Sequence, residues 1–315
     1  MPGILPDITH AFGDTPLVRL NALTAGLHAE VLAKLDFYNP GASVKDRLGF
    51  ALVEAAEAAG ELAPGGTIVE STSGNTGISL ALIGAARGYR VILTMPASMS
   101  KERRTLLKAY GAELILTDPH KGMTEAVETA KRIVAETPGA ILARQFEHEA
   151  NPAIHRRTTA AEIWRDTEGQ VDWFVAGSGT GGTVTGVGQA LKAEDAAVRV
   201  ALVEPKDSLV ISEGRAGGHR IQGIGPNFVP HVLDRSVVDE ILTADVDDAI
   251  RVARALATDE GILAGMSAGA AVWAALEIAK RPESAGRRIV VMIPDGGERY
   301  LSTALYEHLR EEETA

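Results

Sequence analysis

The sequence contains no cysteine. Disulfide bonds, thiolate metal sites and cysteine nucleophiles are therefore excluded, and no other cluster of metal-ligand type stands out. No apolar run approaches the roughly 20 residues that a membrane-spanning helix needs. The first residues, MPGILPDITHAFGDTP, lack the basic segment and the sustained apolar core of a secretory signal. These absences predict a cytoplasmic protein that has no metal and no membrane partner.

Positive charge is scarce relative to negative charge. The 31 lysines and arginines are outnumbered by 42 acidic residues, which gives a formal net charge of -11. This balance argues against general binding to nucleic acid or to anionic membranes, although one local site for an anionic cofactor remains compatible with it. A length of 315 residues with 45% hydrophobic residues is typical of a globular protein with one large or two modest domains.

Apolar runs alternate with longer helical patterns along most of the chain. The runs that we interpret as strands lie at residues 67–71, 89–96, 112–118, 171–177, 198–205 and 287–294. Continuous apolar runs are typical of parallel strands that are covered by helices on both faces. The alternation predicts an α/β fold whose ligands bind in the loops that follow the strands. We predict a domain boundary near residue 150, with domains at 1–150 and 151–315.

Two of these loops are rich in small hydrogen-bonding residues. The first, ESTSGNTG at 70–77, precedes a predicted helix, whose N-terminus is suited to a carboxylate or a phosphate; the alternative is a cluster that only caps the helix. The second, VAGSGTGGTVTGVG at 175–188, contains the G-x-G-x-x-G spacing at Gly177, Gly179 and Gly182. With Glu204 after the next strand, this spacing also fits an NAD site, and it is a weak signal when it occurs alone.

Two further residues are candidates on local pattern. Lys45 lies in PGASVKDR at the start of a predicted helix, where most lysines are exposed and have no catalytic role. Ser267 lies in AGMSAGAA, where small neighbours leave space for a flat ring, although a helix N-cap explains the serine equally well.

Taken together, several motifs in one order resemble the cysteine synthase family, also known as O-acetylserine sulfhydrylases. These motifs are NPGASVKDR, STSGNTGISLA, QFEHEANPAIH, GSGTGGTVTGVG, IQGIGPNFVP, GMSAGAAV and PDGGERYLS. The family consists of pyridoxal-phosphate enzymes related to cystathionine β-synthase and the tryptophan synthase β chain. The resemblance implies two open, twisted, mainly parallel sheets flanked by helices, with the cofactor between two domains and with the first strands joining the second domain.

The resemblance also implies roles for individual residues. Lys45 matches the lysine that forms the Schiff base with pyridoxal 5′-phosphate and later acts as a base. The residues that match cofactor-binding positions are Asn75 at the ring hydroxyl, Ser267 at the pyridine nitrogen, and Gly179, Thr180, Gly181, Gly182 and Thr183 at the phosphate. The residues that match substrate-binding positions are Thr72, Ser73, Gly74, Thr76, Gln145 and Gly223. A neutral serine at the pyridine nitrogen suits elimination at Cβ better than prolonged carbanion chemistry.

The implied reaction is β-replacement of O-acetyl-L-serine by sulfide, which gives L-cysteine and acetate. The alternatives within this chemistry are cystathionine formation and the use of O-phosphoserine, and the departures from the family pattern at Pro226-Asn227 and Gly296 bear on that choice. Alternatives from other classes are an NAD-dependent oxidoreductase and a non-catalytic binding protein. By resemblance we expect a homodimer, a possible complex with the serine acetyltransferase C-terminus, and a shift of residues 70–130 on substrate binding.

Overall fold

The computed structural model describes residues 3–72 and 74–309. The chain divides into two compact units. The first unit comprises Met1–Gly13 and Asn39–Ile154, and the second comprises Asp14–Tyr38 and His155–Ala315. The boundary between the two units in the second half of the chain thus lies after Ile154. The segment Asp14–Tyr38, near the N-terminus, also belongs to the second unit.

The strands and helices are numbered in chain order. The strands are β1 (Leu17–Arg19), β2 (Glu30–Leu35), β3 (Thr67–Ser71), β4 (Arg90–Pro96), β5 (Glu113–Thr117), β6 (Ala140–Leu142), β7 (Trp173–Gly177), β8 (Arg199–Pro205), β9 (Glu240–Ala244) and β10 (Arg288–Ile293). The α-helices are α1 (Lys45–Ala58), α2 (Asn75–Arg87), α3 (Lys101–Ala109), α4 (Gly122–Glu136), α5 (Ala150–Ile154), α6 (Ala160–Asp166), α7 (Gly182–Glu194), α8 (Val210–Glu213), α9 (Val246–Glu260) and α10 (Met266–Ala279).

The first unit contains a parallel sheet with the strand order β5-β4-β3-β6. Helices cover both of its faces. Ile68 of β3 and Leu93 of β4 lie in a core shared with α1 and α2, whereas the neighbouring residues Val69 and Ile92 pack with Ala130 of α4. Successive strand residues therefore enter opposite cores, as expected for a strand that is buried on both faces.

The second unit contains a sheet with the order β1-β2-β10-β7-β8-β9, which is parallel except that β1 runs antiparallel to β2. Val175 of β7 and Val291 of β10 belong to a large core that includes residues of α9 and α10. The helix α7 contacts β7 and β8. The predicted fold class is confirmed: each unit is an α/β arrangement with a mainly parallel sheet and flanking helices.

A buried ion pair holds the segment Asp14–Tyr38 within the second unit. Lys34, the penultimate residue of β2, is fully buried, and its Nζ lies 2.7 Å from Oε2 of Glu162 in α6. The same Nζ donates a hydrogen bond of 2.6 Å to the carbonyl oxygen of Thr15. Because Lys34 interrupts the apolar residues of β2, this strand does not form a continuous apolar run in the sequence.

Among the helices of the described residues, none combines the length and the hydropathy required to cross a bilayer.

Candidate functional site

Lys45 is the first residue of α1, in the first unit. The preceding loop turns sharply, since Ala42 has a φ of 55° and its N–H donates to the carbonyl oxygen of Asn39 at 2.7 Å. The buried carboxylate of Asp46 accepts the N–H of Gly41 at 2.6 Å, and the Lys45 N–H donates to Oγ of Ser43 at 3.3 Å. These contacts fix the backbone that presents the half-buried Lys45 side chain. Asp46 was not singled out from the sequence, although it stands next to the lysine.

The loop after β3 carries a set of small polar groups, as its sequence predicts. Thr72 is buried; its N–H donates to the carbonyl oxygen of Thr94 at 3.1 Å, and its hydroxyl accepts the N–H of Gly74 at 3.2 Å. Gly74 is the N-cap of α2, and the half-buried Asn75 begins that helix. Ser73 lies outside the described residues. The loop thus leads its hydroxyl groups into a helix N-terminus, where negative charge is favoured.

Gln145 joins this loop from the adjacent part of the sheet. It follows β6, which pairs with β3, and its side-chain Oε1 accepts the hydroxyl of Thr76 at 2.6 Å. Its carbonyl oxygen accepts the Nδ2–H of Asn151 at 2.9 Å. The structure therefore brings the predicted substrate residues Thr72, Gly74, Thr76 and Gln145 together at the carboxyl ends of neighbouring strands.

A buried acid lies directly beneath this cluster. Glu70, near the end of β3, is 5% exposed, and its Oε1 accepts the N–H of Ser71 at 2.9 Å. Its Oε2 makes no hydrogen bond with any described residue. Burial raises the pKa of Glu70 to about 7, against the opposing effect of the backbone N–H groups of Ser71, Gln145 and Arg144. In the sequence, Glu70 lies both in the predicted strand 67–71 and at the start of the loop 70–77, and no separate role is predicted for it.

The glycine-rich loop lies in the second unit, between β7 and α7. Gly181 is the N-cap of α7 and has a φ of 85°, in the left-handed region that favours glycine. A Cβ at this position would also lie 2.8 Å from Cβ of Leu233. Thr180 is buried, and its Oγ1 is 3.4 Å from the N–H of Gly182. This turn places glycine-rich backbone at the N-terminus of α7, which is the position that phosphate sites use.

Gly223 and Ser267 lie beside this loop in the second unit. A Cβ on Gly179 would be 3.0 Å from the carbonyl oxygen of Gly223, and a Cβ on Gly223 would be 3.2 Å from Oγ of Ser267. Ser267 is buried and is the second residue of α10. The close approach explains why a residue without a side chain is required at Gly223, which also has a φ of 98°. The structure thus groups the phosphate loop, Gly223 and Ser267 on the second unit.

His155 is a site residue that sequence reasoning missed. It is buried, and its Nε2 is hydrogen-bonded to Oγ1 of Thr183 at 3.2 Å while its Nδ1 is hydrogen-bonded to Oγ1 of Thr159 at 2.8 Å. Residues His155–Thr159 form a π-helical turn, a feature that is frequent at functional sites. His155 therefore fixes the hydroxyl of a residue in the predicted phosphate loop. The motif QFEHEANPAIH contains it, but nothing local to that motif indicates a contact with residue 183.

The hydrogen bonds of Glu204 differ from those of an acid that binds a ribose. Its carboxylate accepts the N–H groups of Ile211 at 3.0 Å and Ser212 at 3.2 Å, and it also accepts the Ser212 hydroxyl. These bonds cap the short helix α8. The carboxylate that suggested an NAD site is thus occupied within the fold.

Comparison with known proteins defines the class to which this chain belongs. Residues 8–295 match the family model described as pyridoxal-phosphate dependent enzyme. The chain is 48% identical over 310 residues to cysteine synthase 3 of Caenorhabditis elegans. The alignment covers 98% of this chain and 92% of the relative. The crystal structure of cysteine synthase from Entamoeba histolytica is 45% identical with a TM-score of 0.94, and the match covers 99% of this chain and 93% of that one.

A third similar protein carries a different name. The crystal structure of O-ureido-L-serine synthase is 46% identical with a TM-score of 0.94, over 99% of this chain and 98% of that one. From the family match and the identities, the chain belongs to the cysteine synthase family of pyridoxal-phosphate-dependent enzymes. The resemblance inferred from the sequence motifs is thereby confirmed, and pyridoxal 5′-phosphate is the cofactor.

The residues present fit this cofactor. Its phosphate requires hydrogen-bond donors and a close approach to the backbone, and the second unit provides both at the start of α7. The Oγ of Ser178, in the same loop, is buried and has no hydrogen-bond partner among the described residues, so that it remains available to an additional group. Within residues 3–72 and 74–309, no group of three or more His, Cys, Asp or Glu side chains is arranged to hold a metal ion.

Proposed function

We propose that this enzyme is a cysteine synthase, which replaces the acetate group of O-acetyl-L-serine with sulfide to give L-cysteine. The observation that supports the proposal most directly is the cluster of Thr72, Thr76 and Gln145 at the ends of β3 and β6. Hydroxyl and amide groups at a helix N-terminus suit the carboxylate of an amino acid. The names of the relatives support the reaction, and the cluster supports the proposed binding of its substrate.

We assign the following roles to the residues of this chain. Lys45 would hold the cofactor covalently through Nζ and, once displaced, would take the proton from Cα of the substrate. Residues 179–183 would bind the phosphate, Ser267 would face the pyridine nitrogen, and Asn75 would face the ring hydroxyl. When bound, the cofactor supplies an electron sink for the charge that develops at Cα.

The substrate-binding residues orient the amino acid for that proton transfer. The Oε1 of Gln145 already accepts the Thr76 hydroxyl, so the Nε2–H groups of the same amide would meet a substrate carboxylate as donors that are held in place. Thr72 is held at both its N–H and its hydroxyl. With the carboxylate fixed, the Cα–H bond can be directed towards Lys45 Nζ. Hydrosulfide is small and largely anionic near neutral pH, so no dedicated base is assigned to it.

Steady-state kinetics test the proposal. We expect parallel lines in a double-reciprocal plot when O-acetylserine is varied at several sulfide concentrations, because acetate leaves before sulfide adds. Without sulfide, the enzyme should release about one acetate per active site in a rapid first turnover. Release of acetate that strictly requires bound sulfide would contradict this order of events.

The choice of substrates within the same chemistry is tested separately. Pro226 is half-buried, whereas Asn227 and Phe228 are exposed, so the loop that departs from the family pattern presents residues to solvent. The similarity to O-ureido-L-serine synthase indicates that relatives at this level of identity differ in product. Comparison of kcat/KM for O-acetylserine and O-phosphoserine, each with sulfide, homocysteine or hydroxyurea, would identify the preferred pair. A preference for homocysteine would favour the cystathionine-forming alternative.

We further propose that the enzyme is a cytoplasmic homodimer and that it binds the C-terminus of a serine acetyltransferase, as implied by the family resemblance. Light scattering on the purified holoenzyme tests the dimer, and a monomer at micromolar concentration would refute it. Titration with a peptide of the acetyltransferase C-terminus tests the complex. Absence of any change in cofactor fluorescence, together with no inhibition by the peptide, would count against it. Fractionation of the source cells tests the localisation.

A further inference from the structure

The motif PDGGERYLS, at residues 294–302, is not part of the site described above. Its first residues pair with the chain that leads into α10. The N–H of Gly265 donates to the carbonyl oxygen of Asp295 at 3.2 Å. The N–H of Gly297 donates to the carbonyl oxygen of Leu263 at 3.0 Å, and an antiparallel bridge lies between these two bonds. The pairing ends at Gly265, the N-cap of α10, so the motif holds the point at which this helix begins.

Two side chains of the motif are buried against the same point. Asp295 is 2% exposed and Tyr300 is 3% exposed, and the Tyr300 hydroxyl donates to Oδ2 of Asp295 at 2.5 Å. A Cβ on Gly265 would clash with Oδ1 of Asp295 and would lie 2.6 Å from Cε2 of Tyr300. Both side chains therefore lie directly against the backbone of the N-cap residue. A carboxylate at a helix N-terminus is also favoured by the helix dipole.

The first turn of α10 carries Ser267, which is the second residue of the helix. The carbonyl oxygen of Gly265 accepts the N–H groups of Ala268 at 3.1 Å and of Gly269 at 3.2 Å, so that Gly265 closes this turn. Ser267 is 3% exposed, and a Cβ on Gly223 would lie 3.2 Å from its Oγ. In such a closely packed position, the direction of the Ser267 hydroxyl follows the orientation of the turn.

We propose that Asp295 and Tyr300 form a positioning pair for Ser267. The pair fixes the backbone of Gly265, and through it the first turn of α10 and the direction of the Ser267 hydroxyl. A hydrogen bond depends on both distance and angle, so a shift of this turn weakens the bond from Ser267 to the pyridine nitrogen. The inference rests on the proposed function, because it takes Ser267 to face that nitrogen.

Tyr300→Phe removes one hydroxyl and keeps the ring against Gly265. The holoenzyme is reconstituted with pyridoxal phosphate labelled at its pyridine nitrogen, and we expect its nitrogen NMR signal to move towards the position found in Ser267→Ala. The phosphorus signal of the same sample should not move, because residues 179–183, proposed to bind the phosphate, belong to a different loop. The kcat should fall about threefold to tenfold, as for the loss of one hydrogen bond, with the KM for O-acetylserine within about twofold of the wild type.

Amide hydrogen exchange of the holoenzyme, followed by mass spectrometry, measures the hold on α10 separately. Peptides that contain Ala268 and Gly269, whose N–H groups bond to Gly265, should exchange about threefold to tenfold faster in Tyr300→Phe. Peptides from α7 should be unchanged. If Tyr300→Phe does not fold, Asp295→Asn replaces it. Its amide oxygen can still accept the Tyr300 hydroxyl but carries no charge, so the nitrogen signal and the exchange should change in the same direction by smaller amounts.

Tyr306→Phe is the matched control. Tyr306 is also a buried tyrosine, and its hydroxyl makes no hydrogen bond with any described residue. A Cβ on Gly297 would lie 2.8 Å from this hydroxyl, so the control removes the same group next to the same paired segment. We expect the nitrogen signal, the exchange of α10 and the kcat of Tyr306→Phe to equal those of the wild type.

Three results would overturn the inference. The first is an unmoved nitrogen signal in Tyr300→Phe together with a moved one in Ser267→Ala. The second is unchanged exchange at Ala268 and Gly269. The third is a parallel movement of the nitrogen and phosphorus signals, which would indicate general damage to the site. An unmoved nitrogen signal in Ser267→Ala would instead refute the role proposed for Ser267, and the exchange would then decide alone whether the pair fixes the first turn of α10. Neither measurement requires turnover, so a failure of cysteine formation rejects the proposed function and leaves these results valid.

Discussion

The two units differ in how firmly their sheets hold the site residues. In the second unit, β7, β8 and β10 are buried along almost their whole length. In the first unit, β3 and β4 are similarly buried, but β5 exposes Ile115 and Leu116. Buried strands such as β7, β8 and β10 resist local opening, whereas an outer strand with exposed apolar residues, such as β5, opens at lower free energy. The central strands of the second unit are thus suited to hold a group that does not move, and the outer part of the first unit is suited to local movement.

Lys45 is an exception to this comparison of the units. It lies on the first unit, whereas the residues proposed to bind the phosphate of the cofactor lie on the second. We expect Lys45→Ala to lower kcat by about 10³-fold or more, because covalent attachment and proton transfer are both lost. Steady-state rates with O-acetylserine and sulfide provide the measurement.

Lys108→Ala, at an exposed position of α3, is the control and should retain wild-type activity. Borohydride reduction of the wild-type holoenzyme followed by peptide mapping should label Lys45. A label on another lysine would show that the cofactor is attached elsewhere.

The buried pair Lys34–Glu162 tests whether the second unit depends on its fully buried contacts. Glu162→Gln leaves the ammonium of Lys34 buried next to a neutral partner, with Asp166 at the longer distance of 3.9 Å. We expect the free energy of unfolding to fall by about 3 kcal/mol. Urea denaturation followed by circular dichroism measures it.

The first unit provides a matched control in an exposed pair. Arg90 and Glu113 form an ion pair of 2.7 Å on β4 and β5, with both side chains about half exposed. We expect Glu113→Gln to leave the urea midpoint almost unchanged, because solvent screens such pairs. Equal losses of unfolding free energy in Glu162→Gln and Glu113→Gln would show that the buried pair stabilises its unit no more than the exposed pair does.

The pKa of Glu70 predicts a pH dependence of stability that arises in the first unit. Its folded pKa of about 7 lies above the ordinary value of 4.5, so the folded state keeps a proton that the unfolded state has lost between these pH values. Stability therefore falls as the pH rises through this window, and the cost is fully present above pH 7. Glu70→Gln should remove a cost of at most about 3 kcal/mol at pH 8 and change little at pH 4.

Urea midpoints of the wild type and Glu70→Gln at pH 4, 6 and 8 check this prediction. Glu147→Gln serves as the control: the side chain of Glu147 is exposed, and its charge makes the smallest of the contributions to the pKa of Glu70, so only a slight change is expected. A stability difference between the wild type and Glu70→Gln that is the same at all three pH values would mean that the carboxyl does not titrate in this range.

The fold was largely predictable from the sequence because its central strands are continuous apolar runs. The runs at 67–71, 171–177 and 198–205 coincide with or contain β3, β7 and β8. Four strands, β1, β2, β6 and β9, were missed. Among them, β2 contains Lys34, and β6 has three residues that are only half-buried. Their positions are set by pairing with strands that are distant in sequence, which no local pattern records.

The site was predictable to a similar extent, for a related reason. Loops of small residues before helices indicate anion binding locally, so the segments 70–77 and 175–188 could be found without a structure. The role of Lys45 came from the family resemblance and not from its own surroundings. His155 could not be found, because its importance lies in a contact with Thr183, which is remote in sequence.

Substitution of His155 tests the proposed phosphate site of the second unit, with a smaller expected change in free energy than in the preceding variants. Removal of its ring in His155→Leu should free the hydroxyl of Thr183 and raise the dissociation constant for pyridoxal phosphate about tenfold. Thr183→Val should have a similar effect. Because the two residues are hydrogen-bonded, the double variant should lose little more affinity than either single one.

Reconstitution of the apoenzyme with pyridoxal phosphate measures the three constants, and the phosphorus NMR shift of the bound phosphate reports its environment directly. His155→Asn, whose amide can replace one ring nitrogen, should recover part of the affinity. Losses that simply add in the double variant would indicate that His155 acts independently of Thr183.

The smallest expected effect concerns the outer part of the first unit. In α3, Leu107 is the buried residue, and in α4 the buried residues are Ala126, Thr129 and Ala130. These helices and β5 should open locally at a lower free energy than β7 and β8. Residues 101–136 should therefore exchange their amide hydrogens faster than residues 173–205 in the holoenzyme.

Binding of an amino acid should reduce the difference in amide exchange rate between residues 101–136 and residues 173–205. A carboxylate bound as proposed would add contacts to Thr72, Thr76 and Gln145, and it could shift the outer segment only by its differential affinity for the closed arrangement. With saturating L-serine, we expect exchange in residues 101–136 to slow by about fivefold to tenfold, which corresponds to about 1 kcal/mol. Exchange through local opening in residues 173–205 should change less, since that region is buried in both states.

Mass spectrometry of peptic peptides measures both regions in one sample. Equal slowing in the two regions would mean that L-serine stabilises the whole chain against global unfolding, and unchanged exchange in both would mean that the first unit does not close on its substrate.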